Sequence, residues 1–172
     1  MTRWLVLCAL VAASSAYADD PATSEPPPRR TPFDRGRFGL SLGGGTQSTL
    51  GVQYIAIGAG VAYYVLDGVE LGASGLEEFG SGPNISKLSP SLRYVAQPLV
   101  GKWPVIPYIG TFYTHWFIGG GLPDFDTVGA RSGLLFLSGS LVLGLGVAVE
   151  HQLACTTSCN SIYPDFAISL AL

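Results

Sequence analysis

The stretch LVLGLGVAVE, residues 141–150, decides the fold of this chain. Large apolar residues alternate in it with small or charged ones. The first set is Leu141, Leu143, Leu145, Val147 and Val149, and the second set is Val142, Gly144, Gly146, Ala148 and Glu150. Because successive side chains of a β-strand point to opposite faces, this period of two predicts a strand with one greasy face and one small-residue face.

The same alternation recurs from Arg37 to Leu172 and predicts eight strands in all. It is clean at 37–43, 55–63, 69–74, 88–97 and 165–172, and rougher at 107–117 and 128–137. Pro90 lies inside one predicted strand, where its missing N–H should require a β-bulge. Short turns are predicted at 67–68, 101–102 and 138–140, and loops at 46–49, 81–84, 119–126 and 154–161. This alternation of short and longer connections is typical of outer-membrane barrels.

The composition indicates where the two faces point. Hydrophobic residues make up 48% of the 172 residues and charged residues only 12%, whereas an ordinary soluble domain carries about 25% charged residues. The 23 glycines argue against long helices, and no apolar run after the N-terminus is long enough for a helical span. A soluble barrel with a greasy interior is the alternative, but glycine and alanine coat a water-exposed surface poorly. We therefore predict an all-β, eight-stranded antiparallel transmembrane β-barrel with its small residues in a narrow lumen.

The N-terminus predicts export from the cell. Arg3, an apolar run over 4–13 and the small-x-small site at 16–18 are typical of a signal peptide, which we place at residues 1–18. Residues 19–35 are polar and Pro-rich, which predicts a disordered tail. Residues 36–172 form the barrel domain. An even number of strands then places both the tail and the C-terminus in the periplasm of a bacterium with an outer membrane.

The cysteine count agrees with export. Removal of the signal peptide takes Cys8 away and leaves Cys155 and Cys159, which we predict to form a disulfide. Two cysteines without histidine ligands nearby are too few for a structural zinc site, so no metal is expected. The net charge of −3, without a basic patch, argues against nucleic acid as a partner.

A small set of charged residues falls on the predicted lumen face. They are Arg37, Glu70, Glu78, Lys87, Arg93, Arg131 and Glu150, with Asp165 as an additional candidate. Buried charges are costly when unpaired, so we expect these residues to pair across the lumen. Two interpretations follow: structural pairing, which we favour, or an electrostatic plug or gate in a narrow pore.

The two histidines are the residues to test for catalysis. A nucleophilic site needs a nucleophile held by a base that an acid orients. Glu150 and His151 are adjacent, so they point to opposite faces, and His115 is followed by Trp116 and Phe117 rather than by a serine. We predict that the chain is not an enzyme and holds no cofactor.

The chain resembles small bacterial outer-membrane barrels of the OmpA/OmpW kind. The resemblance is carried by the signal peptide, the turn at 66–72, the strand start at 107–110 and the alternating last strand. The chain departs from such barrels by ending on Leu172 rather than on an aromatic residue. The resemblance implies insertion by the outer-membrane assembly machinery among membrane lipids and lipopolysaccharide, and we expect a monomer. It implies a structural or narrow-pore role, with a surface adhesion barrel or a lipid-A-modifying barrel as alternatives.

Overall fold

The chain folds into one closed barrel of eight antiparallel strands, as the sequence predicted. The computed structural model describes residues 31–49, 51–100, 103, 105–156 and 159–172. The strands are β1 (Phe38–Thr49), β2 (Val52–Leu66), β3 (Val69–Gly80), β4 (Ile85–Val95), β5 (Val105–Ile118), β6 (Phe125–Ser138), β7 (Leu141–Gln152) and β8 (Asn160–Ala171). A short 3-10 helix, Gln97–Leu99, follows β4. The predicted signal peptide lies outside the described residues.

The greasy face of the strands points out of the barrel. Leu42, Ile162 and Phe166 are 74%, 74% and 71% exposed, whereas the inward-facing Leu135 is only 1% exposed. This arrangement is the reverse of a soluble barrel, whose apolar side chains would fill the interior. No helix in the described part of the chain is long and apolar enough to cross a membrane.

The connections define two ends of the barrel. At the terminal end, β1 begins and β8 ends, beside the turns at 67–68 and 139–140 and the connection over 96–104. The loop end carries the connections at 50–51, 81–84, 119–124 and 153–159. The prediction of a loop at 46–49 was wrong, because β1 runs to Thr49, which pairs with Val52. The predicted turn at 101–102 lies outside the described residues.

Pro90 lies within β4 without a bulge, contrary to the sequence-based expectation. Leu88 pairs with His115 and Ser91 pairs with Phe112, so the register of β4 against β5 is the same on both sides of the proline. Between these pairs the ladder is interrupted, and the Ser89 and Thr114 hydroxyls form a hydrogen bond of 2.8 Å in its place. The irregularity that the structure does contain lies in the pairing of β2 with β3, near the turn between them.

Candidate functional site

The lumen is closed at the terminal end by buried apolar side chains, which we call the floor cluster. Its members are Phe33, Tyr64, Val95, Ile106, Tyr108, Leu135 and Val142. All but Phe33 project inward from strands. Phe33 precedes β1, yet its side chain is 1% exposed and its ring centroid lies 5.8 Å from that of Tyr64. A residue from outside the sheet therefore completes the plug.

Backbone hydrogen bonds hold Phe33 in place. The N–H of Gly68 donates to the carbonyl oxygen of Phe33 at 2.8 Å, and the N–H of Gly36 donates to that of Tyr64 at 2.8 Å. The N–H of Arg35 donates to the Asp67 carboxylate at 2.7 Å. Residues 31–35, the last five of the predicted tail, are thus folded against the barrel. Phe33 is the only aromatic residue of that polar segment, which is the one sequence signal that sets it apart.

Asp34 stabilises the turn that carries Phe33. Its carboxylate accepts hydrogen bonds from the backbone N–H and the hydroxyl of Thr31, at 2.8 and 2.5 Å. The side-chain amide of Gln97 donates to it at 3.2 Å. Burial raises the pKa of Asp34, but these hydrogen bonds lower it more, so that the pKa lies below its ordinary value. The ionised carboxylate is therefore the form that the folded turn favours.

A buried ion pair lies near the floor cluster. Arg93 on β4 donates to the carboxylate of Glu70 on β3, the residue with which it is in register. The two side chains are 14% and 7% exposed. The guanidinium carbon of Arg93 also lies 5.6 Å from the ring centroid of Tyr108, which adds a cation–π contact. The structure therefore brings together two of the charges that the sequence placed on the lumen face.

A second ion pair lies nearer the loop end. The ammonium of Lys87 contacts the carboxylate of Glu78, whose side chain is fully buried. The same ammonium lies 3.5 Å from the ring centroid of Trp116, and Trp116 stacks on Phe125 with centroids 4.9 Å apart. The Lys87 charge is thus shared between a carboxylate and an aromatic face in a site with little water.

The remaining lumen carboxylates are held by hydroxyl groups rather than by cations. Glu150 accepts hydrogen bonds from the hydroxyl of Thr127 and, at 3.0 Å, from that of Tyr163. The hydroxyl of Tyr108 donates to Asp165 at 3.0 Å. The sequence did not predict these three hydroxyl partners. The alternation of residues shows on which face of a strand a side chain lies, but not which side chains it contacts.

Two predicted lumen charges have other surroundings. The guanidinium carbon of Arg131 lies 5.1 Å from the ring centroid of Phe112. Arg37 is half-buried at the mouth of the barrel, where its carbonyl oxygen accepts a hydrogen bond of 3.0 Å from the N–H of Tyr64. Neither side chain forms an ion pair with a carboxylate in the part of the chain that the structure describes.

Apolar side chains also pack at the loop end of the lumen, on the side of β2, β4, β5 and β6. Tyr54, Ile85 and Ile118 are buried there, with Val52, Trp116 and Phe125 packed against them, and we call this set the roof cluster. The floor cluster therefore lies below the paired charges, and the roof cluster narrows the lumen above them on one side.

Glycines make room for the aromatic side chains inside the barrel. A Cβ added to Gly129 would lie 2.3 Å from the ring of Phe112, and one added to Gly146 would lie 2.5 Å from the hydroxyl oxygen of Tyr108. A larger residue at Gly129 would have to displace the Phe112 ring, and a Cβ at Gly146 would also lie 2.4 Å from the backbone oxygen of Ser132. A cavity of about 800 Å³ remains in the lumen.

Both histidines lie outside this lumen, on the outward face near the loop end. Nδ1 of His115 lies 2.6 Å from the Asp126 carboxylate, to which the Tyr113 hydroxyl also donates at 2.5 Å. His151 contacts Asn160 at 2.8 Å. Within the described residues neither histidine is hydrogen-bonded to a serine hydroxyl. The cluster therefore holds an acid and a base without a nucleophile from the described chain beside them.

The predicted disulfide is present in the last connection at the loop end. Cys155 and Cys159 are bonded, with their Cα atoms 5.4 Å apart. Gln152 donates its N–H to the carbonyl oxygen of Cys159 at 2.9 Å, which ties the loop to the end of β7. No group of three or more potential metal ligands occurs among the described residues.

These features define the class of protein: a small eight-stranded antiparallel barrel with an apolar outer face and a lumen lined by small residues and paired charges. Solved structures of known proteins share this fold. The N-terminal β-barrel domain of Pseudomonas aeruginosa OprF matches with a TM-score of 0.59 at 13% identity, over 80% of this chain and 98% of that one. Neisserial surface protein A matches with a TM-score of 0.50 at 13% identity, over 79% and 94% of the two chains.

The outer membrane protein OprG from Pseudomonas aeruginosa matches with a TM-score of 0.48 at 13% identity, over 81% of this chain and 97% of that chain. No family model matches the sequence, and no curated relative matches it. The predicted resemblance to small outer-membrane barrels is confirmed at the level of the fold.

Proposed function

We propose that this chain is an integral protein of a bacterial outer membrane with a structural role, closed along its axis to ions and solutes. The outward apolar face supports the membrane location, because a charged residue there would cost about 2–4 kcal/mol at mid-membrane. The likeness in fold to the OprF barrel domain and to Neisserial surface protein A agrees with it. In this proposal the chain is a monomer that the assembly machinery inserts among outer-membrane lipids and lipopolysaccharide.

The closed axis is supported by the floor cluster, which closes the terminal end of the lumen. An ion moving along the axis would have to pass the floor cluster around Phe33, which is 1% exposed, and the roof cluster around Tyr54 narrows the loop end on one side. Between them it would meet charges already compensated by neighbours, such as Arg93 with Glu70. Structural pairing therefore accounts for these charges better than a gate does.

Conductance of the purified protein in planar bilayers tests this proposal. We expect no reproducible current from the wild type, because the floor cluster blocks the axis. The double variant Phe33→Ala/Tyr54→Ala removes one aromatic ring that is 1% exposed at each end and should leak. Leu143→Ala, on the outward face, is the matched control and should stay silent. Discrete current steps from the wild type would contradict the closed axis.

Orientation is tested by thiol labelling of intact cells. In a background with both native cysteines of the disulfide replaced by serine, Leu122→Cys places a thiol at the loop end and Arg35→Cys places one at the terminal end. If the termini face the periplasm, an impermeant reagent should label the first in intact cells and the second only after permeabilisation. The opposite pattern would reverse the proposed orientation.

A further inference from the structure

The wall of the lumen has a bulky half and a small half. Strands β4 to β7 carry large inward side chains, among them Arg93, Phe112 and Trp116. An eight-stranded barrel is just wide enough for side chains to fill its interior. On β1, β2, β3 and β8 many inward side chains are too small to do so, and a cavity of about 800 Å³ remains beside them. Residues of this small half that line the cavity include Gly43, Gly58, Ala62, Gly72, Ser74 and Ala167.

The cavity is closed at the floor and extends to the loop end. Phe33 and Tyr64 of the floor cluster line its lower limit. At its upper limit the inward-facing lining includes Gly45 on β1, Gln152 on β7 and Cys159 in the disulfide loop. The roof cluster comes from β2, β4, β5 and β6, so it does not cover the side of β1, β7 and β8. The lumen is therefore a blind pocket with its mouth beside the disulfide.

Arg131 lines this pocket from β6 without a polar partner. Its guanidinium forms no hydrogen bond and no ion pair with any described residue, and its carbon lies 5.1 Å from the ring centroid of Phe112. Its Nε is buried and unpaired. In contrast, Lys87 and Arg93 each contact a carboxylate. Arginine stays charged in proteins, and a desolvated charge without a partner is costly. The side chain is thus placed to hold an anion that the described chain does not supply.

The charges near Arg131 favour a carboxylate over a phosphate as that anion. A planar guanidinium matches the paired oxygens of either group. Glu150 is in register with Gly129, two residues from Arg131 along β6, and Asp165 lines the same pocket. Both carboxylates accept hydrogen bonds from hydroxyl groups and stay close to the free cation. Their repulsion grows with the charge of the ligand, so the pocket favours an anion with a single charge.

Serine hydroxyls lie on the side of the pocket opposite Arg131, which we call the serine wall: Ser41, Ser74 and Ser91. Strands β2 and β6 are four strands apart in the ring of eight, so they face each other across the lumen. A Cβ added to Gly60 on β2 would lie 2.6 Å from Oγ of Ser41 and 3.1 Å from Cβ of Ser74, so these two serines meet over the glycine. Hydroxyl groups both donate and accept hydrogen bonds, which suits them to the hydroxyl groups of a ligand.

We propose that the lumen binds a small hydroxylated monocarboxylate, of the sugar-acid class, that enters from the loop end. The carboxylate of the ligand accepts hydrogen bonds from Arg131, and its hydroxyl groups contact the serine wall. The cavity of about 800 Å³ is in the range of about 300–1,000 Å³ usual for ligand pockets. The floor cluster stops the ligand from passing through. Binding requires only the folded barrel, whereas access from the cell exterior rests on the orientation proposed above.

Titration calorimetry tests the chemistry of the site. The full exported chain in phosphatidylcholine nanodiscs is titrated with gluconate, and with glucose, hexanoate and glucose 6-phosphate for comparison. We expect saturable binding of gluconate and affinities lower by about tenfold or more for the other three. Glucose lacks the carboxylate, hexanoate lacks the hydroxyl groups, and glucose 6-phosphate carries a second charge. Failure of the wild type to bind gluconate would overturn the proposal, as would equal binding of glucose or of hexanoate.

Variants of the same chain test the residues. Arg131→Gln should weaken gluconate binding about tenfold or more. Arg37→Gln makes the same change at the mouth below the floor cluster and is the matched control, in which binding should be unchanged. Replacing all three residues of the serine wall with alanine should weaken gluconate but not hexanoate, and Ser132→Ala on the outward face should change neither. Equal gluconate affinity in Arg131→Gln and Arg37→Gln would overturn the assigned site.

Thiol protection tests the position of the ligand. Ser161 on β8 lines the pocket near its mouth and is in register with the inward-facing Glu150. Its neighbour Asn160 is in register with the outward-facing His151. With the native cysteines replaced by serine, gluconate should slow maleimide labelling of Ser161→Cys and leave that of Asn160→Cys unchanged. Equal labelling rates with and without gluconate in Ser161→Cys would refute a ligand inside the lumen.

Heat-modifiable migration reports whether each variant folds. If Arg131→Gln does not fold, the four ligands on the wild type and the protection of Ser161→Cys still decide the proposal. A barrel that conducts along its axis and binds gluconate would refute only the closed axis. A silent barrel that does not bind gluconate would refute only this site.

Discussion

Breaking the buried pair of Arg93 and Glu70 should be among the most destabilising single changes in the barrel. Arg93→Met keeps an unbranched apolar stem but leaves the carboxylate of Glu70, which is 7% exposed, without its cation. Removing one partner of a buried ion pair costs about 3–5 kcal/mol, because the remaining charge stays desolvated. The contact of Arg93 with the Tyr108 ring is lost as well. We therefore expect the free energy of unfolding to fall by about 3–5 kcal/mol.

The double variant Glu70→Met/Arg93→Met separates the effect of the ion pair from the effect of burying side chains at this site. Replacing both members of a buried pair with apolar side chains is often neutral or stabilising, so the double variant should recover most of the loss. Unfolding by urea in lipid vesicles, followed by tryptophan fluorescence, gives the free energies. Glu77→Gln is the control: this residue is exposed, and its carboxylate accepts a hydrogen bond of 2.8 Å from Ser86; the change should stay within about 0.5 kcal/mol.

Two results would refute this reasoning. One is a loss below about 1 kcal/mol in Arg93→Met, which would mean that water reaches Glu70 and solvates it without its partner. The other is a double variant as unstable as the single one, which would mean that the site cannot accept apolar side chains. Either result would also weaken the case for a dry, closed axis near the floor cluster.

Three further predictions concern the ends of the barrel. Phe33→Ala should cost up to about 3–5 kcal/mol of local stability, measured as faster hydrogen exchange at the Gly68 amide that donates to Phe33; unchanged exchange would argue against the plug. Because the pKa of Asp34 is lower when folded, its stabilisation is full above its unfolded pKa of about 3.9 and is lost as the pH falls further. The protection factor of the same amide, which is the intrinsic exchange rate divided by the observed rate, should fall there, and Asp34→Asn should show no such step. Replacing Cys155 and Cys159 with serine removes the disulfide, which closes a loop in the unfolded chain. The free energy of unfolding should fall by about 2 kcal/mol at most, and heat modification should occur at a lower temperature.

The sequence alone determined the strands and the direction of their faces. Alternation over residues 141–150 and its repeats needs no tertiary information, because the period of two is a property of each strand by itself. The shortage of charge then indicated that the greasy face points outward. The number of alternating segments predicted a barrel of eight strands. The same alternation assigned the charged residues to the lumen face.

Only the tertiary structure decided which groups meet inside the barrel. The register pairs Arg93 with Glu70 and leaves Arg131 opposite Ala148, and no property of a single strand encodes that choice. Phe33 belongs to a polar, Pro-rich segment, so its burial depends on a mouth that exists only once the barrel has closed. The short seam between β1 and β8 likewise arises at closure, because the number of pairs the last strand can form with the first is set by the whole sheet.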